Sequence, residues 1–145
     1  MSKDETLVDL YCGVGTLTSF VGRDADAAYG VERNPEAVSA AQENAKRNGL
    51  RNIEFICADV EAWDCAAVRP GCVIIDPPRK GMSVAVVGKI LEMAPRRIVY
   101  ISCDPATFAR DIKALGDAYV LADAVAVDMF PRTANVECCS LLLRK

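Results

Sequence analysis

A chain of 145 residues suffices for one domain that buries about two-thirds of its unfolded surface. Its composition, 52% hydrophobic and 26% charged, is that of a globular protein, and no apolar run approaches the ~20 residues that span a bilayer. A formal charge of −3 argues against a stand-alone polyanion binder, and the absence of histidine excludes every mechanism that uses a histidine base.

The first predicted element is a strand from Leu7 to Tyr11, followed by the turn Cys12-Gly13-Val14-Gly15 that joins it to a helix. A second strand, Ala27 to Val31, ends at Glu32. The next helix is well marked: Asn34 can cap it, Pro35 suits its first turn and Gly49 stops it. Ile53 to Cys57 and Val73 to Ile75 read as further strands, the latter closed by Asp76-Pro77-Pro78. A helix from Val84 to Met93 leads to a strand over Ile98 to Ile101. Asp104 and Pro105 open another helix that ends near Gly116. Two late strands, Val120 to Val127 and Val136 to Leu143, have no helix between them, so an antiparallel pair at one edge is expected.

Alternating strands and helices predict an α/β fold, a doubly wound mostly parallel sheet with a C-terminal antiparallel hairpin, forming one domain over 1–145. In such sheets ligands bind at the carboxyl ends of the strands. The polar motifs all fall at such ends: Asp9 to Gly15, Glu32, Asp59, Asp76 and Cys103.

The seven cysteines are odd in number, contain no C-x-x-C pair, and include the adjacent Cys138 and Cys139. Cys57 and Cys72 fall in apolar runs and are expected to be buried. A reduced, cytoplasmic compartment fits this usage better than a disulfide framework, and no metal site is expected.

The turn over Asp9–Thr16 lacks the third glycine of a dinucleotide fingerprint, because position 18 is Thr. Together with Glu32, placed to grip ribose hydroxyls, and Asp59, it favours a nucleoside-containing cofactor. Between a nicotinamide dinucleotide and S-adenosylmethionine, the missing glycine and the acid at the motif's start favour the second, which has no pyrophosphate to cradle. Two readings of Tyr11 stay open, packing on the cofactor or filling the core; Thr16 is placed for a cofactor contact. Cys103 sits between a strand end and a helix start. The partial positive charge of that helix end favours a thiolate, and the neighbouring Asp104 opposes it.

Four segments, DLYCGVGT (Asp9–Thr16), DPPRKG (Asp76–Gly81), SCDPAT (Ser102–Thr107) and DMFPRTANVE (Asp128–Glu137), resemble those of the RNA 5-methyluridine (uracil-C5) methyltransferases that act on transfer and ribosomal RNA. The resemblance covers essentially the whole chain and implies the S-adenosylmethionine-dependent methyltransferase fold. It implies that Cys103 adds to uracil C6 and that Glu137 removes the C5 proton. It implies too that Tyr11, Gly13, Thr16, Glu32 and Asp59 line the cofactor pocket, with Asp76 contacting the cofactor or holding the flipped base. Two departures stand out. Many members carry histidines before the catalytic Glu, where this chain has Arg132 and Asn135. Members also have an N-terminal RNA-binding portion, so the chain is expected to be a C-terminal fragment whose RNA contacts lie largely in that portion, as does any iron–sulfur cluster. Two other readings compete. Asp76-Pro77-Pro78 resembles the motif of amino-group methyltransferases, although Arg79 replaces the aromatic that would stack on a base. A non-catalytic cofactor-binding or RNA-docking module is the other.

Overall fold

A computed structural model describes residues 3–129, 131–132 and 136–145. In chain order its elements are β1 (Thr6–Leu10), α1 (Thr16–Gly22), β2 (Ala27–Glu32), α2 (Pro35–Arg47), β3 (Ile53–Cys57), β4 (Cys72–Ile75), α3 (Val84–Met93), β5 (Arg97–Ser102), α4 (Pro105–Leu115), β6 (Tyr119–Val127) and β7 (Glu137–Arg144). The strands form one seven-stranded sheet in the order β3-β2-β1-β4-β5-β7-β6. The first five run parallel; β7 pairs antiparallel with both β5 and β6.

Local chemistry sets the helix ends. Asn34 Oδ1 accepts from the Glu36 N–H at 2.9 Å, Pro35 occupies the first turn of α2, and Gly49 at φ 69° ends it. Asp104 caps α4, accepting from the N–H groups of Ala106 and Thr107, each at 2.9 Å. Ser83 caps α3 at Val86, and Ala94, at φ 48° before Pro95, stops it.

Both faces of the parallel sheet are covered, because strands buried on two sides need an apolar layer on each. On one face Leu17 and Val21 of α1 pack with Leu7, Ala28, Cys72 and Ile74, while Val38, Ala41 and Ala45 of α2 pack on Phe55. On the other, Val86, Ile90 and Met93 of α3 and Leu115 of α4 join Val8, Leu10, Val73, Ile75, Ile98 and Tyr100. Among the described residues no helix is long and apolar enough to cross a membrane.

Three expectations need adjustment. The first strand ends at Leu10, not Tyr11: the N–H groups of Tyr11 and Cys12 both turn to the Val31 carbonyl, at 3.0 and 3.1 Å, and Tyr11 takes φ 65°. Cys57 is exposed, because β3 is an edge strand, whereas Cys72 is buried. The late strands do pair antiparallel at one edge, but the second of them lies inside the first, so β6 is outermost. Asn135, singled out with Arg132, lies outside the described residues, as do Phe130, Thr133 and Ala134 of the same motif.

Candidate functional site

The sheet order reverses direction between β1 and β4, and a crevice opens where the loops after these strands diverge. The turn after β1 is built for close approach: Tyr11, Gly13 and Gly15 have φ of 65°, 54° and 74°. At Gly15 a Cβ would lie 2.5 Å from the Phe55 ring, so only glycine lets the turn sit down on β3.

Glu32, at the end of β2, ties this turn in place. Its Oε2 accepts from the Gly13 N–H at 3.2 Å and its Oε1 from the Asn34 N–H at 2.8 Å. A carboxylate has about four lone-pair positions, so these two bonds leave acceptor capacity toward the crevice. Asp59, after β3, accepts from the Glu61 N–H at 2.8 Å. Tyr11, Glu32, Asp59, Asp76, Pro78 and Lys80 line a cleft of about 450 Å³, within the size range of small-molecule sites. Burial, and then the charges of Glu61 and Asp59, raise the Tyr11 hydroxyl above its ordinary value.

Asp76 also faces a second cavity of about 370 Å³, which it shares with Cys103, Glu137, Ile101, Val127 and Met129. The two spaces therefore adjoin through one carboxylate. Desolvation, followed by the negative charge of Glu137, raises the Asp76 carboxyl. Cys103 is half-buried between the end of β5 and the α4 cap. Ser102 Oγ accepts from the Asp104 N–H at 3.2 Å and donates to the Asp104 carbonyl at 3.0 Å, which folds the turn around the thiol. Asp104 is spent on its helix: the Thr107 and Ala106 donors hold its carboxyl below the ordinary range.

The structure thus brings Tyr11, Glu32, Asp59 and Asp76 to one cleft and Asp76, Cys103 and Glu137 to the next. Gly13 contributes through its N–H to Glu32. Thr16 goes elsewhere. As the first residue of α1, turned away by the left-handed Gly15, it lines a separate cleft with Ser19, Phe20, Arg23 and Asn44. Arg132 is exposed at φ 72°. Among the described residues no group of three or more His, Cys, Asp or Glu could hold a metal ion.

Two features escaped the reading of motifs. Asp9 is 1% exposed beneath the glycine turn and accepts from Thr18 Oγ1 at 2.5 Å. Burial pushes its carboxyl from 3.8 up to about 7, the Thr18 bond opposing and the charge of Asp76 adding to the rise. Burial likewise pushes the neighbouring Cys12 thiol up to about 12, helped by Asp9 and Glu32. An acid inside the apolar run Leu7-Val8-Asp9-Leu10 was the available signal, since a buried carboxyl requires a partner. The other is the buried Asp111, foreshadowed only by the spacing of Thr107, Arg110 and Asp111 on α4.

Similarity to known proteins agrees with this arrangement. An uncharacterized RNA methyltransferase of Halalkalibacterium halodurans is 44% identical over 98% of the chain and 32% of its own length. Another, from Staphylococcus epidermidis, is 41% identical over 100% of the chain and 33% of its own length. The chain thus spans about a third of these relatives. Among solved structures, Pyrococcus abyssi tRNA (uracil-54, C5)-methyltransferase, in complex with S-adenosyl-L-homocysteine, superposes with a TM-score of 0.87 at 34% identity. That match covers 98% of this chain and 35% of the other. The tRNA (uracil-5-)-methyltransferase family model matches residues 1–145, end to end. Fold, site and sequence therefore converge, and the chain belongs to the tRNA (uracil-5-)-methyltransferase family.

Proposed function

We propose that this domain methylates C5 of a uridine in transfer or ribosomal RNA, using S-adenosylmethionine, through a covalent bond between Cys103 and uracil C6. The observation that carries the reading is the grouping of Cys103, Glu137 and Asp76 around one largely apolar cavity that adjoins an acid-lined cleft through Asp76. The cleft suits the cofactor: Glu32 has acceptor capacity for ribose hydroxyls, Asp59 and Asp76 add carboxylates for a cationic ligand, and Tyr11 offers an aromatic wall. Thr16 lines a different cleft and is not among the residues around this one.

Uracil C5 is a poor nucleophile until C6 is attacked. Cys103 Sγ, as thiolate, forms a bond to C6, and the C5–C6 π pair moves through C4 onto O4 as an enolate. When bound, the cofactor would supply an electrophilic methyl group to C5, its S–CH3 bond breaking to leave S-adenosylhomocysteine. C5 then carries both a methyl group and a hydrogen. Glu137 accepts that proton, the C5–C6 double bond re-forms, and the C6–S bond breaks to return the thiolate. Ile101, Val127 and Met129 give the cavity an apolar wall for the base to pack on. None of these steps uses a histidine of this domain, which has none. With a formal charge of −3 in this domain and relatives about three times as long, most of the RNA contact is assigned to chain outside it.

The test uses the protein expressed from its full reading frame and unmodified transfer and ribosomal RNA transcripts. Cys103→Ala abolishes both 5-methyluridine and any protein–RNA adduct. Glu137→Gln differs in kind: addition and methylation proceed, elimination stalls, and denaturing gels accumulate a methylated adduct on ordinary uridine. Methylation that persists in Cys103→Ala defeats the covalent scheme and favours amino-group methylation. Normal turnover by Glu137→Gln without adduct moves the base elsewhere, with Asp76 next in line.

A further inference from the structure

Helix α4 carries a polar stripe that the proposed chemistry does not use. Thr107, Arg110 and Asp111 stand at i, i+3 and i+4 and so share one face. That face grips the segment that follows Asp76. Thr107 Oγ1 donates to the Arg79 carbonyl at 3.2 Å, and Arg110 Nη2 donates to the carbonyls of Lys80 and Met82 at 2.9 and 3.1 Å. Asp111 Oδ2 accepts from the Met82 N–H at 2.7 Å. Between them Gly81 sits at φ 72°, where a Cβ would lie 2.5 Å from both Arg110 Nη2 and Asp111 Oδ2. Three of the four residues from Arg79 to Met82 are thus hydrogen-bonded by three side chains of one helix, with Gly81 packed between them.

Asp111 is 2% exposed, and it is fully engaged: besides Met82 it accepts from the Tyr100 hydroxyl at 2.7 Å and from Arg110 Nε and Nη2 at 2.9 and 2.7 Å. Burying a carboxylate is costly and calls for this many donors, which is more apparatus than a surface loop needs to stay folded. What the apparatus joins is informative. The clamped residues, Arg79 to Met82, follow Asp76 by three positions and include Lys80 of the larger cleft, while the clamping helix begins one residue past the Asp104 cap, beside Cys103.

We propose that Arg110 and Asp111 are positioning residues. They lock the segment from Arg79 to Met82, just after Asp76, onto the helix that starts beside Cys103, and so set the cofactor cleft and the base cavity in a single alignment. This rests on the function proposed above. A displacement of about 1 Å between reacting groups can cost on the order of a hundredfold in rate, so a rigid link between the two spaces has a kinetic value separate from its effect on folding.

The test compares three variants of the full-reading-frame protein, assayed well below their unfolding midpoints for methyl transfer to unmodified RNA transcripts and for S-adenosylhomocysteine binding. Arg110→Met removes the carbonyl contacts from a side chain that is 55% exposed, together with two donors to the buried Asp111, so its unfolding midpoint also falls. It lowers kcat by about 10- to 100-fold, leaves the KM for RNA unchanged, and weakens S-adenosylhomocysteine binding. Asp111→Asn does the same or more; if it fails to fold, Arg110→Met decides. Tyr100→Phe removes a bond to Asp111 but none to the segment, so it lowers the unfolding midpoint while kcat stays within about twofold of wild type. A kcat loss in Arg110→Met smaller than about threefold, or an equal loss in Tyr100→Phe, overturns the proposal. If the wild type methylates a position other than uracil C5, the functional reading fails, whereas the ratio of variant to wild-type rates still judges the clamp.

Discussion

Replacing Asp9 by Asn should make the domain more stable at pH 8 and less stable near pH 4. The folded chain holds the Asp9 carboxyl at about 7, against an ordinary value of 3.8, chiefly because burial penalises the charged form. Because the folded value lies above the unfolded one, the folded state binds the extra proton between these limits. Stability is then fully present below about pH 4, falls as pH rises, and reaches its floor above about pH 7. The gap of roughly three pH units, at about 1.36 kcal/mol each, corresponds to an upper bound on the order of 4 kcal/mol. Asn keeps an oxygen to accept from Thr18 but buries an amide with no assured partner, a cost of about 1–2 kcal/mol. The net expectation is a gain of roughly 2 kcal/mol at pH 8 and a loss of roughly 1 kcal/mol at pH 4. Urea unfolding of both proteins at several pH values measures the difference directly, and other titrating groups cancel in the comparison. If Asp9→Asn destabilises more at pH 8 than at pH 4, then Asp9 is a charged group sustained by Thr18, and the desolvation argument is wrong.

The remaining expectations concern the ligand and the caps. Glu32→Ala should weaken S-adenosylhomocysteine binding by about 1–3 kcal/mol in calorimetry, as for loss of a charged hydrogen bond. Glu32→Gln removes the charge but keeps an acceptor for only one of the Gly13 and Asn34 N–H groups, and undiminished affinity in both variants rejects Glu32 as a ligand contact. Asn34→Ala removes the α2 cap and should cost about 1 kcal/mol in denaturant unfolding with no change in slope; a change within about 0.3 kcal/mol would mean that solvent satisfies the freed N–H groups equally well.

Much of this protein is legible in one dimension because its signals are local. Asn34-Pro35 and Asp104-Pro105 mark helix starts wherever the chain goes, since capping and the fixed proline φ need only neighbouring residues. The runs Ile53–Cys57 and Val84–Met93 became elements with those bounds, and the acids at strand ends gathered at one edge because every parallel strand presents its carboxyl end to the same side. What the sequence left undecided depends on residues distant along the chain. Tyr11 leaves the first strand because Val31, twenty residues on, captures its N–H and that of Cys12. Thr16 lines a cleft separate from that of Tyr11, one residue past the left-handed Gly15 that sits against Phe55. The sequence announced a late hairpin but not that its second strand would lie inside the first, because that choice rests on which strand packs better across the sheet, and Ser140 and Leu142 of β7 are buried where most of β6 is exposed. Most of all, Asp9 with Thr18, and Asp111 with Met82 and Tyr100, are partnerships of buried polar groups. A single acid in the sequence states that a partner is needed; only packing in three dimensions decides which one it finds.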